Sequence, residues 1–125
     1  MKPTKEQRKQ VVDWIEKYRP LLGLNSYSIN VNYPTEDDTD STGTPIARTQ
    51  TTSEYLQAEM WIYPAFFKHT KTMQGKIILH ELVHIIVAPL ASLNYNRFIT
   101  EEQHRQAHEL VTSRFENIIY NLLDA

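Results

Sequence analysis

Large apolar residues first recur along the chain at helical spacing. Thr4-Lys5-Glu6-Gln7 opens like a capping box, and Val11, Val12, Trp14, Ile15 and Tyr18 then mark one face of a helix that Pro20 and Gly23 end. The period next changes to two. Tyr27-Ser28-Ile29-Asn30-Val31-Asn32-Tyr33 alternates as a half-buried strand does, and Pro34 closes it. Residues 35–45 (TEDDTDSTGTP) are polar, acidic and rich in turn formers, which predicts a loop. Its aspartates lack the spacing and terminal glutamate of an EF-hand. Residues 46–52 form a weaker strand candidate and residues 55–63 a stronger one, with Leu56, Ala58, Met60 and Ile62 on its apolar face.

A loop over 64–71 leads to the most apolar stretch, residues 73–87. It has no internal proline, Thr70 or Thr72 can cap its start, and Pro89 lies just beyond its end. Ile77, Ile78, Leu82, Ile85 and Ile86 cover most sides, so a buried helix is predicted. After a connection over 90–98, Thr100-Glu101-Glu102-Gln103 is a second capping-box-like start. Val111, Phe115, Ile118, Ile119, Leu122 and Leu123 follow as the expected buried stripe of a long final helix. These elements define an α+β fold: N-terminal helix, small antiparallel sheet of about three strands, buried central helix and long C-terminal helix. A single domain over residues 1–125 accommodates them.

Composition narrows the function classes. A net charge of -2 with 41% hydrophobic residues gives no basic surface for nucleic acid, and Lys2, Lys5, Arg8 and Lys9 read as a solvated helix face. The polar N-terminus lacks the apolar run of a signal peptide and nothing approaches a membrane span, so a soluble, cytoplasmic protein is expected. There is no cysteine, so a metal site must draw on His, Asp or Glu.

Those residue types converge in the central helix, at His80-Glu81-Leu82-Val83-His84. One turn apart on a helix, His80 and His84 can meet at one metal, and Glu81 lies beside the first to hold or deprotonate a water. The bland alternative is a pair of buried histidines satisfied by hydrogen bonds alone. A catalytic zinc takes a third protein ligand, for which His69, Glu101, Glu102, His104, His108, Glu109 and Glu116 are candidates. Periodicity leaves the choice open. With Val111 at zero, Phe115 and Ile119 fall at about 40° and about 80°, His108 falls within that stripe and Glu109 at its border, about 160°.

HELVH on a buried helix, with a glutamate some 25 residues later on a second helix, resembles the gluzincin metallopeptidases. The short chain and element order are similar to the single-domain minigluzincins and related small phage and prophage proteins. Ala107-His108-Glu109-Leu110-Val111-Thr112 looks like the family's glutamate helix, and the resemblance therefore implies a Zn2+ held by His80, His84 and Glu109. It further implies peptide-bond hydrolysis with Glu81 as general base, on a peptide or protein substrate. The substrate would lie extended along the strand over 55–63. Ser113 departs from the family, whose larger members often carry an aspartate there to orient the first histidine. Tyr95, His104 and His108 are the candidates for stabilising an oxyanion. Two alternatives keep the zinc without turnover: a regulatory or interaction protein using the same groove, and a structural module.

Overall fold

The computed structural model describes residues 2–36, 46–93 and 100–124. Its first helix, α1 (Lys5–Tyr18), opens on the expected capping box, with the Gln7 N–H donating to Thr4 Oγ1 at 3.1 Å and the Thr4 N–H to Gln7 Oε1 at 2.8 Å. Val11, Ile15 and Tyr18 are buried along one face, whereas Val12 is exposed. The turn after α1 uses Gly23 at φ +70, a left-handed conformation that glycine adopts without strain. The Arg19 guanidinium braces this turn by donating to the carbonyls of Leu24, Asn25 and Tyr27.

Three strands follow: β1 (Ser28–Asn32), β2 (Ala47–Thr52) and β3 (Gln57–Ile62). The sheet order is β1-β3-β2. β2 and β3 form an antiparallel hairpin, from Ala47↔Ile62 to Thr52↔Gln57. β1 pairs with β3 in parallel, from Ser28↔Gln57 to Asn32↔Trp61, so the sheet is mixed rather than antiparallel throughout. Alternation identifies a strand's buried face but carries no information about which neighbour it takes. The hairpin also shortens the strand expected over 55–63. Ser53–Tyr55 is a 3₁₀ turn and Leu56, at φ 53, reverses the chain, which leaves its side chain exposed. Because β3 is central and bonded on both sides, it cannot be the edge that receives a peptide. β2 is an edge.

Ala58, Met60 and Ile62 turn one face of the sheet onto α2 (Lys71–Leu93), where Ile78, Leu79, Leu82, Val83 and Ile85 complete the core with Val11, Ile15 and Phe66. Burying each large side chain contributes about 1.5–3 kcal/mol, so this sandwich positions α2 firmly. Thr70 caps α2, its hydroxyl accepting from the Met73 N–H at 3.2 Å. Residues 64–68, expected as loop, form a 3₁₀ helix that buries Phe66. The ring of Trp14 lies directly on Gly75, where a Cβ would come within 2.8 Å of it. Pro89 does not stop the helix, which continues to Leu93. Proline removes one N–H and crowds the preceding turn, and here the apolar helix absorbs both.

The last helix, α3 (Glu101–Asp124), starts at the expected capping box, with the Gln103 N–H donating to Thr100 Oγ1 at 3.0 Å. Its orientation differs from expectation. Val111, Phe115, Ile118, Leu122 and Leu123 are exposed, and of the predicted stripe Ile119 packs on the core. The face turned toward α2 instead carries Thr112 and Glu116, both buried, roughly 120° round the helix. Polar groups on this face have partners on α2, and those partners form the site.

Candidate metal centre

His80 and His84 project from the same face of α2, one turn apart, with ring centroids 4.8 Å apart. Their Nε2 atoms lie 3.2 Å from each other. From α3, Glu109 places Oε2 3.4 Å from His80 Nε2 and Oε1 3.2 Å from His84 Nε2. Donor atoms held tetrahedrally by zinc at about 2.0–2.1 Å sit about 3.3–3.4 Å apart, so these spacings fit that ion. His80, Glu81 and His84 likewise offer ligand atoms within 4.8 Å of one another, a group close enough to hold a metal ion.

The outer nitrogens of both imidazoles are engaged. His80 Nδ1 meets Glu116 Oε1 at 2.6 Å, a carboxylate–histidine pair that fixes the ring with Nε2 pointing inward. Thr112, fully buried, donates its hydroxyl to the His108 carbonyl at 2.7 Å and can accept from His84 Nδ1 at 3.2 Å. His108 Nε2 lies at 3.2 Å from the same Nδ1. Burial, and then the neighbouring His84, lower the pKa of His108, which favours the neutral ring able to accept there.

Charge in the cluster is strongly coupled. Burial by itself lowers the pKa of His80, but hydrogen bonds to Glu109 and Glu116 and the charges of Glu81 and Glu116 outweigh it and lift it to about 10. Hydrogen bonds from His80 and His84 hold Glu109 well below the ordinary carboxylate range. Without a metal, a proton on His80 therefore balances the surrounding carboxylates. Glu81 is buried, and desolvation raises its pKa against the opposing pull of His84 and of the Thr49 hydroxyl, which donates to its Oε1 at 2.7 Å. A carboxylate raised toward neutral pH is suited to proton transfer.

The cluster opens into a cleft of about 650 Å³ between β2, α2 and α3. Ile46, Ala47, Arg48 and Thr49 form one wall, and Met73, Lys76 and Ile77 extend it along α2. A smaller hollow of about 250 Å³ continues on the far side of His84, along Thr49, Gln50 and Thr51 to His104.

The structure thus brings together His80, Glu81, His84, His108, Glu109 and Glu116. Glu102 is instead paired with Arg105 at the exposed start of α3, Glu101 is exposed beside it, and His69 lies before α2, away from the cleft. Tyr95 lies outside the described residues. Sequence reasoning missed Thr49 and Thr112 and did not foresee Glu116 as the partner of His80. The spacing of Glu109, Thr112 and Glu116, three and then four residues, places them on one helix face and was the available signal for two of them. Thr49 is 32 residues from Glu81 and left no local signal. No protein-family model, curated protein or solved structure matches the chain. No helix among the described residues is long and apolar enough to cross a membrane.

Proposed function

We propose that this chain is a zinc-dependent peptidase of gluzincin type in which His80, His84 and Glu109 hold the metal and Glu81 is the general base. The observation that carries this reading is the near-equilateral set of two Nε2 atoms and the Glu109 carboxylate, 3.2–3.4 Å apart, at the foot of a cleft beside Glu81. Glu81 is also near both imidazoles, but it is tied to β2 through Thr49, whereas Glu109 spans the two Nε2 atoms. The division of roles follows from that difference: Glu109 ligates and Glu81 moves the proton.

Zinc, when bound, supplies a Lewis acid and an activated water at this position. Glu81 takes the proton of the attacking water and returns it to the leaving amine, aided by a pKa that burial raises. Glu116 and Thr112 keep the two imidazoles in the tautomer that presents Nε2 to the site. An extended peptide would add to the edge of β2, with Ala47 to Thr49 opposite its backbone, and cross the metal centre there.

Zinc per chain and peptide-library cleavage, measured on wild type, Glu81→Gln and Glu109→Ala, test the assignment. The expected result is about one zinc in wild type and Glu81→Gln, loss of zinc in Glu109→Ala, and cleavage by wild type alone. Cleavage by Glu81→Gln at the wild-type rate would overturn the mechanism. Zinc binding with no cleavage of any peptide by wild type would replace it with the interaction-protein reading, in which the same groove captures a partner.

A further inference from the structure

We propose that Lys76 determines specificity by holding a carboxylate of the peptide in the cleft, about two residues from the bond to be cleaved. Under the peptidase reading, on which this rests, the substrate is an acidic peptide or one whose C-terminus ends beside the cation.

Lys76 lies one helical turn before His80 and lines the same cleft, so its stem starts about 6 Å along α2 from the proposed ligand. An extended peptide advances about 3.3 Å per residue, which places the cation about two residues from the metal centre. Its neighbours at this end of the cleft, Ile46, Met73 and Ile77, are apolar. The other ionisable side chains along the cleft are engaged. Glu81 accepts from Thr49, Glu109 spans the two imidazoles, Glu116 meets His80 and His108 meets His84. The Arg48 guanidinium lies 4.6 Å from the centre of the Trp61 ring. Trp61 alternates with Met60 and Ile62, which face α2, so the charge of Arg48 is on the far side of the sheet.

Lys76 is different. Among the described residues it forms no ion pair. Its ammonium sits over the Tyr120 ring of α3, 5.2 Å from the centroid. That contact steadies the charge and leaves its N–H donors to a ligand. Half-buried among apolar side chains, such a cation attracts an anion more strongly than a lysine surrounded by water does. A carboxylate suits it, accepting a charge-assisted hydrogen bond.

Dipeptide hydroxamates, which anchor on zinc and lay their residues in the cleft, test this without turnover. They are made in both chain directions, with Glu or Gln as the side chain, or with a neutral residue ending in a free carboxylate or an amide. Affinity for the zinc-loaded full chain, read by calorimetry, should be at least about tenfold higher for one carboxylate probe than for its amide counterpart. Preference for Glu over Gln identifies an acidic side chain as the anion, and preference for the free terminus identifies release of C-terminal residues. Lys76→Met should bring the ratio close to unity, and Lys76→Arg should retain most of it. A lysine that only packs α2 on α3 would give wild type equal affinities for each pair, which overturns the proposal. So does a preference that survives in folded Lys76→Met. Hydroxamate binding in either case leaves the peptidase reading standing, whereas a wild type that binds no zinc overturns both.

Discussion

Thr49 reaches from the sheet to the one carboxylate that the proposed chemistry needs free, and its hydroxyl proton is a lever on that group's basicity. Donation to Glu81 opposes the desolvation that raises its pKa. Thr49→Val keeps the shape and removes the donor, so the Glu81 pKa should rise further. The expected outcome is unchanged bound zinc, kcat/KM lower by about tenfold, and an acid limb of the pH–rate profile displaced to higher pH. A limb that stays in place would show that Glu81 is not the titrating base. Within the proposed site, Glu116 acts on the metal side. Glu116→Ala removes the partner of His80 Nδ1 and should weaken zinc binding about 10–100-fold while leaving the ligand set intact. Proton linkage gives a second signature. His80, with its pKa lifted to about 10, must lose a proton to present Nε2 to a metal. Apparent zinc affinity of the wild type should therefore rise about tenfold per pH unit between neutrality and that pKa. Titration with a competing zinc indicator across pH would read the slope.

Among the elements, α1, the three strands and α2 are where the pattern of apolar residues expects them, because each buries one face on a single shared core. Thr4 and Thr100 form their capping boxes for the same reason: the signal and the structure lie within four residues. Information that spans the chain was not legible. The parallel docking of β1 on β3 depends on a pairing 29 residues long-range, from Ser28 to Gln57, and local alternation is silent about it. α3 shows a different kind of miss. Its apolar residues predict one buried face, but Glu109, Thr112 and Glu116 have partners on α2 and turn another face inward. His80, Glu81 and His84 were readable as a motif, whereas Glu109 needed a family resemblance and gained its geometric support from the helix packing. Within α2, Gly75 lies under the ring of Trp14. Gly75→Ala gains helix propensity of up to about 1 kcal/mol, yet its Cβ would meet the ring at 2.8 Å. Overpacking of this kind costs about 1–3 kcal/mol, so a net fall in Tm of a few degrees is expected by thermal unfolding.

For the whole molecule, the consequence is two regions held by different forces. α1, the sheet and α2 share an apolar core, while α3 joins it through Ile119 and Tyr120 and adds the polar cluster around His80 and His84. Chelation of zinc should accordingly speed amide exchange in α3 and leave Met60, Leu79 and Leu82 protected. Uniform loss of protection along the chain would show that the two regions unfold together. In the metal-free protein the raised pKa of His80 adds stability that is fully present below its ordinary value of 6.5. That contribution is lost as pH rises through about 10, so chelated protein should melt at a lower temperature in alkaline buffer than it does near neutral pH. The order of the proposed ligands along the chain adds a temporal dimension. His80 and His84 leave the ribosome before Glu109 and Glu116, which belong to the last of the described elements. A nascent chain at that point holds Glu81 and the two imidazoles but lacks the carboxylate proposed to complete the grip on the ion. Under the proposed assignment, hydrolytic competence is a late event in biosynthesis, gated by arrival of α3, and the unfinished chain is spared from its own chemistry.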